Sequence, residues 1–191
     1  MEANTVAMLI FGVVVLVVLI MIAGIYNALV AARQHVRESW SNVDTELQRR
    51  HDLIPNLVSI VKGYMTHERE LLSQIVALRE NAERLRPGEA TDEQARIENQ
   101  LEGALAQLRI RIENYPDLKA STNFMSLQSE LIHTEDRVQN ALRFYNGNVR
   151  DMNVKVQSFP SNMIAKMFGF RRKSYFELRT ERAREAPQVQ F

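Results

Sequence analysis

"RRHDLIPNLV", residues 49–58, joins two strongly periodic runs, and the way it is read sets how the rest of the chain is laid out. Two arginines, a histidine and an aspartate run straight into Leu-Ile-Pro. A polar knot this dense is either a reaction or metal centre or a corner between helices. Proline is tolerated in a helix's first turn and costs about 3 kcal/mol in its interior, so Pro55 is expected at a boundary. Asp52 would cap the free N–H groups of a helix starting there, where a carboxylate also suits the dipole. Arg49, Arg50 and His51 would close the preceding helix, where cations suit the exposed carbonyls. The expectation is a corner capped by Arg49, Arg50, Asp52 and Pro55.

Helical periodicity runs outward from it on both sides. Upstream, Tyr26, Leu29, Arg33, Val36, Trp40, Val43, Leu47 and Arg50 alternate spacings of three and four, a heptad seam with two polar members. Downstream, Leu53, Leu57, Ile60, Tyr64, Glu68, Leu71, Ile75, Leu78, Ala82 and Leu85 continue the pattern with one extra step of four at Tyr64–Glu68, a stutter. Ile97 to Ile112 gives a third run. Phe124 to Phe159 gives a fourth, with a second extra step at Tyr145–Val149. Between them, Pro87-Gly88 followed by Thr91 and Gln94 has the form of a turn and a capping box. Tyr115-Pro116 precedes Ser121 and Thr122 as possible caps. The fold expected is all-α, an antiparallel up-and-down four-helix bundle of long coiled-coil-like helices over 26–158. Polar residues in its seam, Arg33, His67, Glu68, Thr134, Glu135 and Arg137, are expected to fix register or pair as ions.

The run "VAMLIFGVVVLVVLIMIAGI" (6–25) lies in a stretch with no charge between Glu2 and Arg33. Twenty helical residues rise about 30 Å, the thickness of a bilayer core. No basic residue precedes the run, and it is too long for the apolar core of a secretory signal. It is therefore expected to be retained as a single transmembrane helix behind a short tail (1–5). Arg33 and Arg37 follow it and no cation precedes it, so the N-terminus is expected outside and the body in the cytoplasm, at a bacterial inner membrane. The segment 159–176 should return to the bilayer. Met163, Ile164, Met167, Phe168 and Phe170 would dip into the interface, and Lys166, Arg171, Arg172 and Lys173 would meet anionic headgroups. Residues 177–191 read as a flexible tail.

Several blocks together resemble the LemA proteins, membrane-anchored helical proteins of bacteria. They are "YNALVAARQHVRESW", "RRHDLIPNLVSIVKGYMTHE", "YPDLKASTNFMSLQSELIHTEDRV", "YNGNVRDMN", "FPSNMIAKMFGF" and "YFE". The chain departs at Met152, where that family usually places Tyr before Asn. The resemblance implies a helical cytoplasmic domain behind one N-terminal span, and it implies no reaction.

Composition narrows the chemistry. With 24 basic and 23 acidic side chains, nothing global points to nucleic acid. The absence of cysteine excludes disulfides, zinc thiolates and thiol nucleophiles. No P-loop, HExxH, dinucleotide fingerprint or Gly-x-Ser-x-Gly turn occurs. Glu130 and His133 form a single Glu-x-x-His pair, whereas a di-iron bundle needs two such pairs and two further glutamates. No catalytic residue, metal or cofactor is expected. The expected role is a non-enzymatic scaffold that self-associates and contacts membrane lipid. The candidates for protomer contact are Gly24, Ala28 and Ala32, small residues at spacing four, with Asn27, Asn146 and Asn153. The alternative is an adaptor or sensor for a membrane protease, kinase or envelope-stress component.

Overall fold

The computed structural model describes residues 2–85 and 90–178; the Pro87-Gly88 turn and the tail from residue 179 onward lie outside the described residues. Among the described residues six helices follow one another: α1 (Glu2–Lys62), α2 (Arg69–Arg84), α3 (Asp92–Ile112), α4 (Pro116–Lys119), α5 (Thr122–Gln157) and α6 (Ser161–Met167). No strand occurs among the described residues, so the class is all-α.

The expected corner at 49–56 is not there. α1 runs through it, with Pro55 inside the helix. Two features offset the proline. Its missing N–H strips the His51 carbonyl of its helical partner, and the Arg79 Nε of α2 donates to that carbonyl at 3.3 Å instead. Buried apolar side chains also stand on both sides of the site: Leu47 before it, and Ile54, Leu57, Val58 and Val61 beside and after it. Each such side chain contributes about 1.5–3 kcal/mol on burial, so two of them outweigh the proline's cost. Asp52 caps nothing; its Oδ1 accepts from Gln48 Nε2 at 2.5 Å on the exposed surface. Arg49 is exposed and sits 3.6 Å from Glu46.

The helix ends where the heptad pattern stutters. Gly63, Tyr64 and Met65 donate to the carbonyls of Ile60, Val61 and Val61 at 3.1, 3.0 and 2.9 Å, closing α1. His67 and Glu68, expected inside a helical seam, belong to this connection: His67 is exposed, and Glu68 is the residue before α2. Four inserted residues shift an apolar stripe partway around the helix. Here the chain turns instead of winding on.

The chain divides into two compact units, residues 1–38 with 147–173, and residues 39–146 with 174–191. In the second, one apolar core joins every helix that contributes to the unit: Ile54 and Val61 of α1, Leu72 and Ile75 of α2, Leu101 and Leu108 of α3, Leu118 of α4 and Phe124 of α5. Thr91 caps α3 by accepting from the Gln94 N–H at 3.1 Å. In the first unit, Leu29, Ala32 and Val36 are buried, whereas the side chains from residue 4 to residue 21 are all exposed. That exposed part of α1 is long and apolar enough to cross a membrane. The seam residues Trp40, Val43 and Leu47 are likewise buried within this one chain, so the heptad seam is not a free surface for a second copy.

Candidate functional site

The knot at 49–52 is split by the helix that carries it. Arg49 and Asp52 face out; Arg50 and His51 face in, with 2% and 0% of their surface exposed. Successive helical residues point about 100° apart, which is how four adjacent polar residues divide between solvent and core. Two carboxylates one turn apart on α3, Glu98 and Glu102, meet them, with Glu135 of α5. Arg50 Nη2 donates to Glu98 Oε2 at 2.5 Å, and Nη1 donates to Glu102 at 3.2 Å and to Glu135 at 3.0 Å. His51 Nε2 lies 3.1 Å from Glu98 Oε1, close but not aligned as a hydrogen bond. Glu135 accepts a further hydrogen bond from Gln139 at 2.9 Å.

The electrostatics lock this cluster. Burial alone would disfavour the Arg50 charge, but Glu98, Glu135 and Glu102 reverse that and hold the guanidinium more firmly protonated than usual. Burial would push the Glu98 carboxyl up; Arg50 and then His51 overcome it and hold it below its ordinary value. A general base works best with a pKa near the operating pH. A carboxylate held down by a buried arginine is suited to holding charge, not to exchanging protons at neutrality.

A cavity of about 430 Å³ opens onto this cluster. Arg50, Glu102 and Glu135 line it, and Leu57, Leu105, Leu108, Phe124 and Leu131 form its apolar wall. Elsewhere on α5, Arg137 donates to Glu46 at 3.0 Å, Thr134 at 2.9 Å and Glu130 at 3.3 Å, with Thr134 itself buried. Glu68 pairs with Arg111 of α3. The polar-seam residues therefore fall into separate groups: Glu135 with Arg50, Thr134 with Arg137, and Glu68 apart from both.

Most of the remaining sequence candidates lie in the other unit, whereas Asn146 belongs to the same unit as Arg50. Tyr26, the first residue after the apolar run, packs against the tilted ring of Phe168 at 4.8 Å and edge-to-face with Phe170 at 5.9 Å; Arg33 sits 5.0 Å over the Phe170 ring. Gly169, at φ +74°, follows α6 in a left-handed conformation that lets Phe170 donate back to Ala165 at 2.9 Å and turn inward. Ile164 and Phe170 are buried, contrary to the expectation that they meet lipid. Phe159, Met163, Met167 and Phe168 are 80%, 63%, 64% and 51% exposed, and Lys166, Arg171 and Arg172 are exposed beside them in sequence.

Asn146 and Asn153 are engaged within the chain. Asn153 donates to the Lys173 carbonyl at 2.9 Å and accepts from its N–H at 2.8 Å. Asn146 makes the same pair with Phe176, at 2.9 and 3.0 Å. Phe176 then packs on Trp40 at 5.0 Å, as does Tyr145 at 5.2 Å. Met152 is buried and brings no hydroxyl, whereas the Tyr145 hydroxyl donates to the Ser174 carbonyl at 3.4 Å. Of the small-residue stripe, Ala32 is buried in its own chain; Gly24, Asn27 and Ala28 are exposed.

Sequence reasoning missed Glu98 and Glu102 as partners of Arg50. Their signal was available: a cation at a seam position, with two glutamates four apart on the shoulder of the Ile97–Leu101–Leu105 seam.

A family model described as LemA family matches residues 39–191. The chain belongs to the LemA family. It is similar to "Protein LemA" of Metamycoplasma hominis, 24% identical over 73% of this chain and 63% of that one. It is also similar to "Magnetosome protein MamQ 2" of Paramagnetospirillum magneticum, 23% identical over 80% of this chain and 64% of the relative. "Magnetosome protein MamQ" of Magnetospirillum gryphiswaldense is 23% identical over 79% and 64%. The chain spans just under two thirds of the length of these curated relatives. The LemA match takes in Arg50 and its three glutamates and leaves out the apolar run.

Proposed function

We propose that this LemA-family chain is a non-enzymatic scaffold anchored in the bacterial inner membrane, with its N-terminus outside and its body in the cytoplasm. Its helical body presents a fixed surface to membrane-protein partners, and copies associate in the plane of the bilayer. Within 39–146, α1, α2, α3 and α5 form an antiparallel bundle in this reading. The observation that carries it is the set of apolar side chains exposed on and beside α6, with Phe168 packed against Tyr26 where the apolar run ends. Four large apolar side chains left exposed there, with cations beside them in sequence, have the composition of an interfacial contact with anionic lipid. The body is thereby held to the bilayer at a second point, as a scaffold requires and a freely tethered domain does not.

The test is a Met163→Trp variant in a Trp40→Phe background, reconstituted into bilayers with brominated acyl chains. Quenching relative to unbrominated lipid is expected, and emission unchanged by bromine would remove the second contact. Protease added to sealed vesicles should spare the body when the cytoplasmic face is inside. Association would use the exposed Gly24 and Ala28 rather than the buried seam. Native mass measurement in mild detergent should find more than one copy, and a strict monomer at every concentration would end that part of the proposal.

A further inference from the structure

The charges that line the cavity beside Arg50 cancel. Arg50, Arg109 and Lys119 stand against Glu102, Glu113 and Glu135. At the inner end they close on one another: Arg50 donates to Glu102 at 3.2 Å and to Glu135 at 3.0 Å. At the exposed side Lys119 pairs with Glu113 at 2.5 Å, and Arg109 is exposed. A charged headgroup drawn inside would give up its water beside charges that already engage one another, at a cost that nothing there offsets. A polypeptide segment is no better suited. It brings a backbone N–H and C=O at nearly every residue, each of which needs a partner, whereas Leu57, Leu105, Leu108 and Phe124 offer hydrocarbon alone. Among the described residues of the lining, Gln128 is the one uncharged polar side chain. It is exposed, and it lies one turn of α5 from both Phe124 and Leu131, so it shares their face. Its amide can both donate and accept.

We propose that this cavity binds an uncharged single-chain molecule that carries one hydroxyl or carbonyl group. The polar group meets the Gln128 amide at the exposed side, and the chain lies inward along Leu105, Leu108 and Phe124. The volume of about 430 Å³ falls within the range of about 300–1,000 Å³ usual for small-molecule sites. Selectivity comes from the cancelled charges: a neutral guest leaves every ion pair of the lining in place, and a cation or an anion competes with one of them. The inference does not depend on the membrane contact of α6 and stands or falls separately from it.

The experiment uses the full chain in lipid nanodiscs with three probes of equal length: n-octanol, octanoate and n-octylammonium. Calorimetry, with empty nanodiscs subtracted, should show saturable binding of octanol and binding at least about tenfold weaker for both ions. Gln128→Leu should weaken octanol by about threefold to tenfold, the loss of one hydrogen bond. Met125→Trp, at a half-exposed position on the lining, should block octanol while helix content by circular dichroism is kept. Octanol binding no greater than to empty nanodiscs overturns the proposal, as does either ion binding as tightly as octanol. Octanol binding unchanged in both folded variants would place the guest elsewhere and overturn it too. The wild-type comparison decides the question even if a variant does not fold.

Discussion

The Arg50 region and the Tyr26 region break the ordinary rule of inside and outside in opposite directions. Around Arg50, one guanidinium, three carboxylates and an imidazole are in the interior. Around Tyr26, Phe159, Met163, Met167 and Phe168 are on the surface. The first arrangement is stable only while every charge has its partner, because an unpaired buried charge costs several kcal/mol. The second needs no partner to stay folded, because exposed apolar groups cost the fold little, but it is out of place in water. The contrast separates two kinds of unusual residue: those that the fold depends on, and those that point to a surrounding outside the fold.

The sharpest way to break the comparison is at its centre. Arg50→Met should leave three carboxylates without their shared cation and cost about 3–5 kcal/mol, read as a lower urea midpoint for the full chain in detergent. A loss below about 1 kcal/mol would mean that water reaches the cluster and pairs its charges. Acid should attack the same place. The folded Glu98 carboxyl lies below its ordinary value of 4.5. Its contribution to stability is therefore complete above that value and is lost as pH falls through the lower folded value. The wild type should lose stability in that acid window, and Glu98→Gln should show a flatter profile there.

Next in size is the pair of amide clamps. Asn153→Ala removes both hydrogen bonds between this side chain and the Lys173 backbone, at about 1–3 kcal/mol. Trypsin should then cut sooner at Arg171, Arg172 and Lys173, while Asn99→Ala, which loses one bond to the Glu177 carbonyl, should change cleavage less.

The proline comes third. If α1 runs through Pro55 as described, Pro55→Ala restores a helical N–H to the His51 carbonyl and should stabilise by about 2 kcal/mol, the proline's cost less what the Arg79 bond already offsets. Arg79→Ala should cost about 1 kcal/mol in the wild type and nearly nothing in the Pro55→Ala background, because the carbonyl then has its own partner. Equal costs in the two backgrounds would mean that Arg79 does not compensate for the proline.

Much of the fold was legible and the junction was not, for a definable reason. The apolar run, the Thr91 cap and the bounds of α3 and α5 follow from local rules, and local rules suffice where burial and propensity agree. At Pro55 they disagree. The cost of the proline is local and visible in sequence, whereas its compensation comes from Arg79, 24 residues on, and from apolar positions whose burial depends on the rest of the core. The same limit hid the site. Arg50 was recognisable as a charge in a seam, but reading 49–58 as a corner gave it carbonyls to neutralise and removed the need to look for carboxylates. The stutter at Tyr64–Glu68 was legible as an irregularity, and nothing in the spacing tells a helix that bends from one that stops. Asn146 and Asn153 were legible as a pair on one face; that face meets residues 173 and 176, a tertiary fact.

The smallest expected effect sharpens the comparison most. Met163→Ser and Met167→Ser remove exposed apolar side chains that nothing in their own unit covers, so each should change stability in detergent by no more than about 0.5 kcal/mol. Arg50→Met alters one residue of similar size and should cost many times that. If the methionine variants keep the wild-type urea midpoint yet lose the lipid quenching of a tryptophan placed at Phe168, the exposed patch serves the membrane and not the fold. If instead they unfold the chain, these side chains are core residues of an assembly, and a second copy, not lipid, is what covers them.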